Sequence, residues 1–240
     1  MPQGAPSHRV KIKRAKEHID DLESRIVAFR QLRPYRAIFD DDFQFQSGEI
    51  ATFAIDEAVR IPEDWGAIIG EIIHNCRTCL ENAWHDIEGR PPSNTNFPFH
   101  GNTEGMKAGL HRKKTATKKT AVEFLLTIKE TDRWDPLVML ANLDDRNKHR
   151  TMIVCGAQLA QGLPLTDAGQ FFRPLEDGAI FTCILNDLAD KVNMEHQLPF
   201  EIAFAEAEIT KGDAVLPTLE NLLSIADSIV SAFIAKELVR

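Results

Sequence analysis

Two short stretches carry most of the residue types that could do chemistry. From His74 to His85 the chain reads H-N-C-R-T-C-L-E-N-A-W-H, and from Leu140 to Arg150 it reads L-A-N-L-D-D-R-N-K-H-R. A carboxylate beside an imidazole can orient the ring and favour its charged form, and a guanidinium can stabilise an anionic phosphate. His74, Arg77, Glu81 and His85 are therefore a set suited to acid and base work on a phosphodiester. The same residues also suit a solvent-facing side tied by i,i+3 and i,i+4 pairs, Arg77 with Glu81 and Glu81 with His85. In the second stretch Asp145, Lys148, His149 and Arg150 crowd one turn. Cations at a helix C-terminus account for Lys148, His149 and Arg150 but not for the aspartates. The working set is thus His74, Arg77, Glu81, Lys148 and His149 as catalytic candidates, with Asn75, His85, Asp145 and Arg150 as polar companions.

The first stretch lies inside the strongest helix of the chain, expected from Pro62-Glu63-Asp64 to Glu88 and ended by Gly89-Arg90-Pro91-Pro92. At about 100° per residue, Glu71, Arg77, Thr78, Glu81, His85 and Glu88 fall within about 60° of His74, and Ile69, Ile72, Ile73, Cys76, Cys79, Leu80, Ala83 and Ile87 lie opposite. The C-x-x-C of Cys76 and Cys79 is therefore a pair of core cysteines. A redox pair would open a helix after a strand, and a zinc site would need a second ligand pair that the sequence lacks. Glu71-Ile72-Ile73-His74 has the spacing of carboxylate-bridged two-metal bundles, but a second such pair is missing. Neither a metal site nor a cofactor is expected.

Around this helix, Val10–Leu32 shows amphipathic helical spacing and stops at Arg33-Pro34. Phe43–Ile55 suggests a hairpin about Ser47-Gly48, and residues 90–120 read as a long loop pinned at Phe97-Pro98-Phe99. Helices are expected at Ala121–Lys129 and Pro136–Asn147, strands at Thr151–Ala157, Ala179–Leu185 and Leu198–Ala205, and a closing helix at Leu216–Leu238. The pattern is α+β: a bundle-like core of four or five helices with a small antiparallel sheet. One domain over residues 1–240 is expected, with a leader at 1–8, and two smaller domains would also fit the length.

A net charge of −8 over 240 residues argues against a general nucleic-acid coat. Cations nevertheless concentrate at Arg9, Lys11, Lys13, Arg14 and Lys16, and in His111–Lys119, where Arg112, Lys113, Lys114, Lys118 and Lys119 are candidates for phosphate contact. Four cysteines are too few for a disulfide scaffold of this size, no apolar run reaches membrane-spanning length, and the first residues lack a secretory core. A cytoplasmic protein with no membrane partner is expected.

The order of motifs, H-N-x-R-x-x-L-[DE]-[HN] at His74–Asn82, F-P-[FI] at Phe97–Phe99 and D-x-x-K-H-R at Asp145–Arg150, resembles a widespread group of uncharacterised bacterial and phage proteins. A fainter resemblance is to HEPN domains, helical bundles named for nucleotide binding in higher eukaryotes and prokaryotes. It implies metal-independent RNA cleavage, usually by a homodimer. Those domains place a histidine four to six residues after an arginine. Here Asn82 stands at that offset from Arg77, His85 comes later, and Arg146 to His149 is too short. Asparagine is no general base, so the task would pass to His74, His85 or His149. Three functions compete: an RNA-acting protein using His74 or His149 with Arg77 and Lys148, a non-catalytic binding or oligomerisation module whose polar motifs are structural, and a metal-dependent hydrolase using His74, Glu81 and His149.

Overall fold

The structure is a computed structural model, and it describes residues 6–38, 50–88, 97–99, 116–149, 155–159, 180–184, 200–205, 210 and 212–239. Among these are helices α1 (Ser7–Gln31), α2 (Asp64–Glu88), α3 (Ala116–Lys129), α4 (Trp134–His149) and α5 (Val215–Ala235). Five strands accompany them: β1 (Tyr35–Ile38), β2 (Ile50–Glu57), β3 (Cys155–Leu159), β4 (Ile180–Ile184) and β5 (Phe200–Phe204). The class is α+β with a helical core. Contacts divide the chain into two compact units, one formed by Met1–Asp21, Ala67–Met152 and Pro217–Arg240, the other by Leu22–Gly66 and Ile153–Leu216.

Local sequence explains the helix limits. Before α2, the amides of Trp65 and Gly66 bond the carbonyls of Pro62 and Glu63, and Asp64 places a carboxylate against the positive end of the helix. Thr131 separates α3 from α4: its hydroxyl bonds the Ile128 carbonyl at 2.6 Å, and its carbonyl accepts the Trp134 amide. At the end of α1, Arg33 takes a left-handed φ of 54° and its amide closes on the Arg30 carbonyl, so the chain turns into Pro34 without glycine.

The first unit holds the helical core. On α2 the eight residues expected on the apolar face are all buried, and Trp84 packs edge-on to Phe97. From α5, Leu219, Leu222, Ala226, Ile229, Val230 and Phe233 are buried, with Phe233 against Trp84 and Phe124. Among the described residues α5 is the one helix whose length and composition would let it cross a membrane, and 39% of its apolar window is buried.

The second unit carries both sheets. Strands run antiparallel in the order β1-β2-β4, with Tyr35 opposite Glu57 and Phe53 opposite Phe181, and β3 pairs separately with β5. Phe29, Tyr35, Trp65 and Phe200 form an edge-to-face aromatic cluster, with centroids 5.0 to 6.5 Å apart.

Three expectations need adjustment. The antiparallel β2 exists, but its partner on this side is Tyr35–Ile38, earlier than the hairpin arm read from Phe43 and Phe45, which lie outside the described residues. One small sheet is replaced by two. The loop expected over 90–120 ends sooner, because α3 begins at Ala116; threonine and lysine there read as loop composition, yet they form its first turns.

Candidate functional site

The polar stripe of α2 and the charged end of α4, separated by about seventy residues, meet in the first unit. Asp144 sits at their junction. It occupies the core-facing phase of α4 with Leu137, Leu140 and Ala141, and its side chain is 0% exposed. Three basic groups converge on it: His74 Nδ1 at 3.1 Å from Oδ1, Arg77 at 3.3 Å and Lys148 Nζ at 2.6 Å from Oδ2. The contacts to Oδ2 are ion pairs rather than well-aligned hydrogen bonds.

Arg77 is the most heavily engaged side chain of the set. Its guanidinium pairs with Asp145, Asp144 and Glu81, donates to the Ala141 carbonyl at 3.2 Å, and lies 5.4 Å over the ring of Phe99. Burial works against its charge, but the three surrounding carboxylates outweigh it and raise its pKa further. With 15% of its side chain exposed, Arg77 has little surface left for a ligand. Glu81 is similarly committed. One oxygen accepts the Phe97 amide at 2.6 Å while the other faces Arg77 at 3.6 Å, so one carboxylate ties the Phe97–Phe99 segment to α2. Burial raises its pKa against the opposing effects of the Phe97 amide, Arg77 and His85.

His74 and Lys148 differ: their side chains are 43% and 40% exposed. An ionised Asp144 can only accept, so the proton of the neutral ring sits on Nδ1 and donates to it. Nε2 is then the acceptor, 3.3 Å from the Thr78 hydroxyl. The result is an imidazole fixed through one nitrogen by a buried carboxylate, with its other nitrogen at the partly open surface. The seam carries two cations, Arg77 and Lys148, against three carboxylates, Glu81, Asp144 and Asp145, hence a charge of −1 with His74 neutral.

The remaining candidates are less involved. Asn75 is buried and its amide bonds back to the Glu71 carbonyl at 2.8 Å, a contact internal to α2. His85 is half-buried near Glu81. Lys119 is exposed and faces Glu123 at 3.8 Å. Arg112, Lys113, Lys114, Arg150 and the side chains of Lys118 and His149 lie outside the described residues. Cys76 and Cys79 are fully buried; burial pushes the Cys76 thiol up to about 12 and the Cys79 thiol well above its usual value. Among the described residues no group of three or more His, Cys, Asp or Glu is disposed to hold a metal ion.

Asp144 is the residue that sequence reasoning missed. The signal was present as a phase: Leu137, Leu140, Ala141 and Asp144 repeat at helical spacing, so a carboxylate stands where an apolar side chain is expected. Comparison with protein families, with curated proteins and with solved structures finds no match to this chain.

Proposed function

We propose that the seam of α2 and α4 is a metal-independent acid–base site acting on RNA, with His74 as base, Asp144 as its orienting carboxylate and Lys148 as the cation beside it. The observation that carries this reading is the half-exposed imidazole of His74 held at 3.1 Å by a carboxylate with no exposed surface. Such a pair holds the ring in the tautomer that leaves Nε2 free to take a proton once the Thr78 hydroxyl swings aside. The substrate class comes from the HEPN resemblance, and the mechanism follows from its chemistry. Nε2 removes the proton of a ribose 2′-hydroxyl, the 2′-oxygen bonds to phosphorus, and the bond to the 5′-oxygen breaks. The leaving oxygen takes a proton from water or the protonated imidazole, and Lys148 faces the charge that builds on phosphorus.

In this reading Arg77, Glu81 and Asp145 frame the site rather than touch the substrate. The test is incubation of the full chain with a tRNA and mRNA pool in EDTA, scored for 2′,3′-cyclic phosphate ends. His74→Ala should lower the rate by about 10²- to 10⁴-fold, the range of general-base catalysis. RNA left intact by the wild-type chain overturns the proposal.

A second reading, a non-catalytic binding or oligomerisation module, draws on the mutual saturation of Arg77 and Glu81 and on Asn82 at the offset where HEPN domains carry histidine. It predicts that Arg77→Ala destabilises the fold, that no RNA is cleaved, and that light scattering finds an assembly larger than one chain.

A further inference from the structure

The seam is net negative, so a polyanion brought to His74 needs cations from elsewhere. Lys148 of α4 is already counted in the seam, and the further cations stand on α1. With His74 as zero, Glu71 and Asp86 lie at about +60° and +120° on α2, whereas Gly70 and Arg77 lie at about −40° and −60°. The positive side faces α1: His18 Nε2 is 3.2 Å from Glu71 and His8 Nδ1 is 3.4 Å from Asp86. The negative side faces α4, through Arg77 with Asp144 and through Gly70, which closely approaches Asn147. His74, Thr78 and His85 thus form a strip with α1 on one side and α4 on the other.

Which cations of α1 border that strip follows from helical phase. Lys11 and Arg14 lie within about 40° of His18, the residue that meets α2, while Arg9, Lys13 and Lys16 lie more than about 130° away. Because His18 sits beside the start of α2 and His8 beside its end, Lys11 and Arg14 run alongside the turns of Thr78 and Glu81. Among the described residues Arg14 pairs with the exposed Glu17 at 3.3 Å, a contact that a phosphate can replace. Of the nearby acids, Asp145 is paired with Arg77, while Glu71 and Asp86 lie against His18 and His8.

We propose that this strip is the bed of a single-stranded RNA backbone, gripped by Lys11 and Arg14 on the α1 side and by Lys148 on the α4 side of His74. The proposal rests on the reading of the seam as an RNA-acting site, and it adds the path and its phosphate contacts. It also assigns unequal roles to five neighbouring cations that composition alone treats as one patch.

The test is fluorescence anisotropy of the full chain with a labelled 2′-O-methyl oligouridine of about twelve nucleotides, which lacks the attacking hydroxyl and so reports binding alone. Each phosphate contact contributes roughly 0.7 to the slope of log affinity against log salt for a single strand, so Lys11→Gln with Arg14→Gln should flatten the slope by roughly 1.4. The triple variant Arg9→Gln, Lys13→Gln, Lys16→Gln removes more charge yet should flatten it less. Equal effects per charge removed, or no binding by the wild-type chain, overturn the proposal. Binding to vesicles of phosphatidylserine and phosphatidylcholine without binding to the oligonucleotide also overturns it, in favour of a membrane surface. If the slopes behave as expected but unmodified RNA stays intact, the binding path stands and the acid–base reading fails. If His74-dependent cleavage occurs and the α1 variants change neither slope nor rate, the reverse holds.

Discussion

The adjacent aspartates Asp144 and Asp145 touch the same guanidinium, yet removing their charges should have very different effects. Asp144→Asn keeps the volume of a side chain with no exposed surface and removes the charge from two ion pairs, with Arg77 and Lys148, and from the acceptor of the His74 hydrogen bond. A bond to a charged group is worth about 1.5–3 kcal/mol, but the three do not add. Arg77 keeps Asp145, Glu81 and the Ala141 carbonyl, while Lys148 and His74 are exposed enough to regain water. The asparagine is also spared the desolvation of a carboxylate. These opposing effects leave a loss of about 2–4 kcal/mol, toward the lower end of what breaking a buried pair costs. Asp145 is 57% exposed, and its contact to Arg77 competes with solvent, so Asp145→Asn should lose about 0–1 kcal/mol despite the short contact.

Urea unfolding followed by tryptophan fluorescence measures the difference. Trp84 and Trp134 belong to the first unit and Trp65 to the second, so a Trp65→Phe background reports the unit that holds the seam and avoids treating two units as one transition. In thermal melts each kcal/mol should move Tm by roughly 2–4 °C for a chain of this size. Equal losses for the two variants, or a loss under about 1 kcal/mol for Asp144→Asn, would refute the assignment of Asp144 as the buried hub.

Other perturbations test the surrounding framework. His74→Gln leaves Asp144 with Arg77 and Lys148 and should lose about 1 kcal/mol or less, whereas Arg77→Met strips Asp144, Asp145 and Glu81 together and should lose about 3–5 kcal/mol; similar losses in urea titrations would make His74 a structural tie. Burial lowers the pKa of His8, so the unfolded chain binds its proton more readily: stability from this group is present above pH of about 6.5 and is lost as pH falls toward the folded value, and His8→Leu should flatten that part of a Tm-against-pH curve. With Cys76 pushed up to about 12 and Cys155 to about 11, native thiols in a Cys183→Ser background should resist a thiol reagent at pH of about 8 and react on unfolding. A Cβ at Gly70 would come within 2.5 to 2.8 Å of the Asn147 amide group, so Gly70→Ala should gain about 1 kcal/mol only when Asn147→Ala clears the space; an equal gain in both backgrounds would deny the close approach of α2 and α4.

Much of this was legible in α2 alone. Its apolar face is a strictly periodic set, and Phe97 stood out as an aromatic anchor in a polar loop; both are local patterns that burial reproduces. The partnering of α2 with α4 was not legible. Nothing in either stretch encodes which of many charged residues will meet across seventy positions, and the helix-end reading of the cations left Asp144 and Asp145 unexplained. The first strand was obscured for a related reason: Tyr35–Ile38 is too short for alternation to stand out, and it shows itself only by pairing with Ile55 and Glu57.

The position of Asp144 bears on function in a way that its contacts alone do not. A shared buried carboxylate is a poor way to hold two helices together, because its desolvation offsets much of the attraction and an apolar residue of similar volume is often at least as stable. Leu137, Leu140 and Ala141 show that this stretch of α4 faces the core, where leucine would pack. Arg77, Glu81 and Asp145 would still couple α2, α4 and the Phe97–Phe99 segment without it. What only Asp144 does is fix the ring of His74 and hold Lys148 beside it at the exposed rim. A core position given to a carboxylate whose distinctive partners are the two accessible groups of the seam suits the proposed acid–base pair, whereas a purely structural clamp has no need of it.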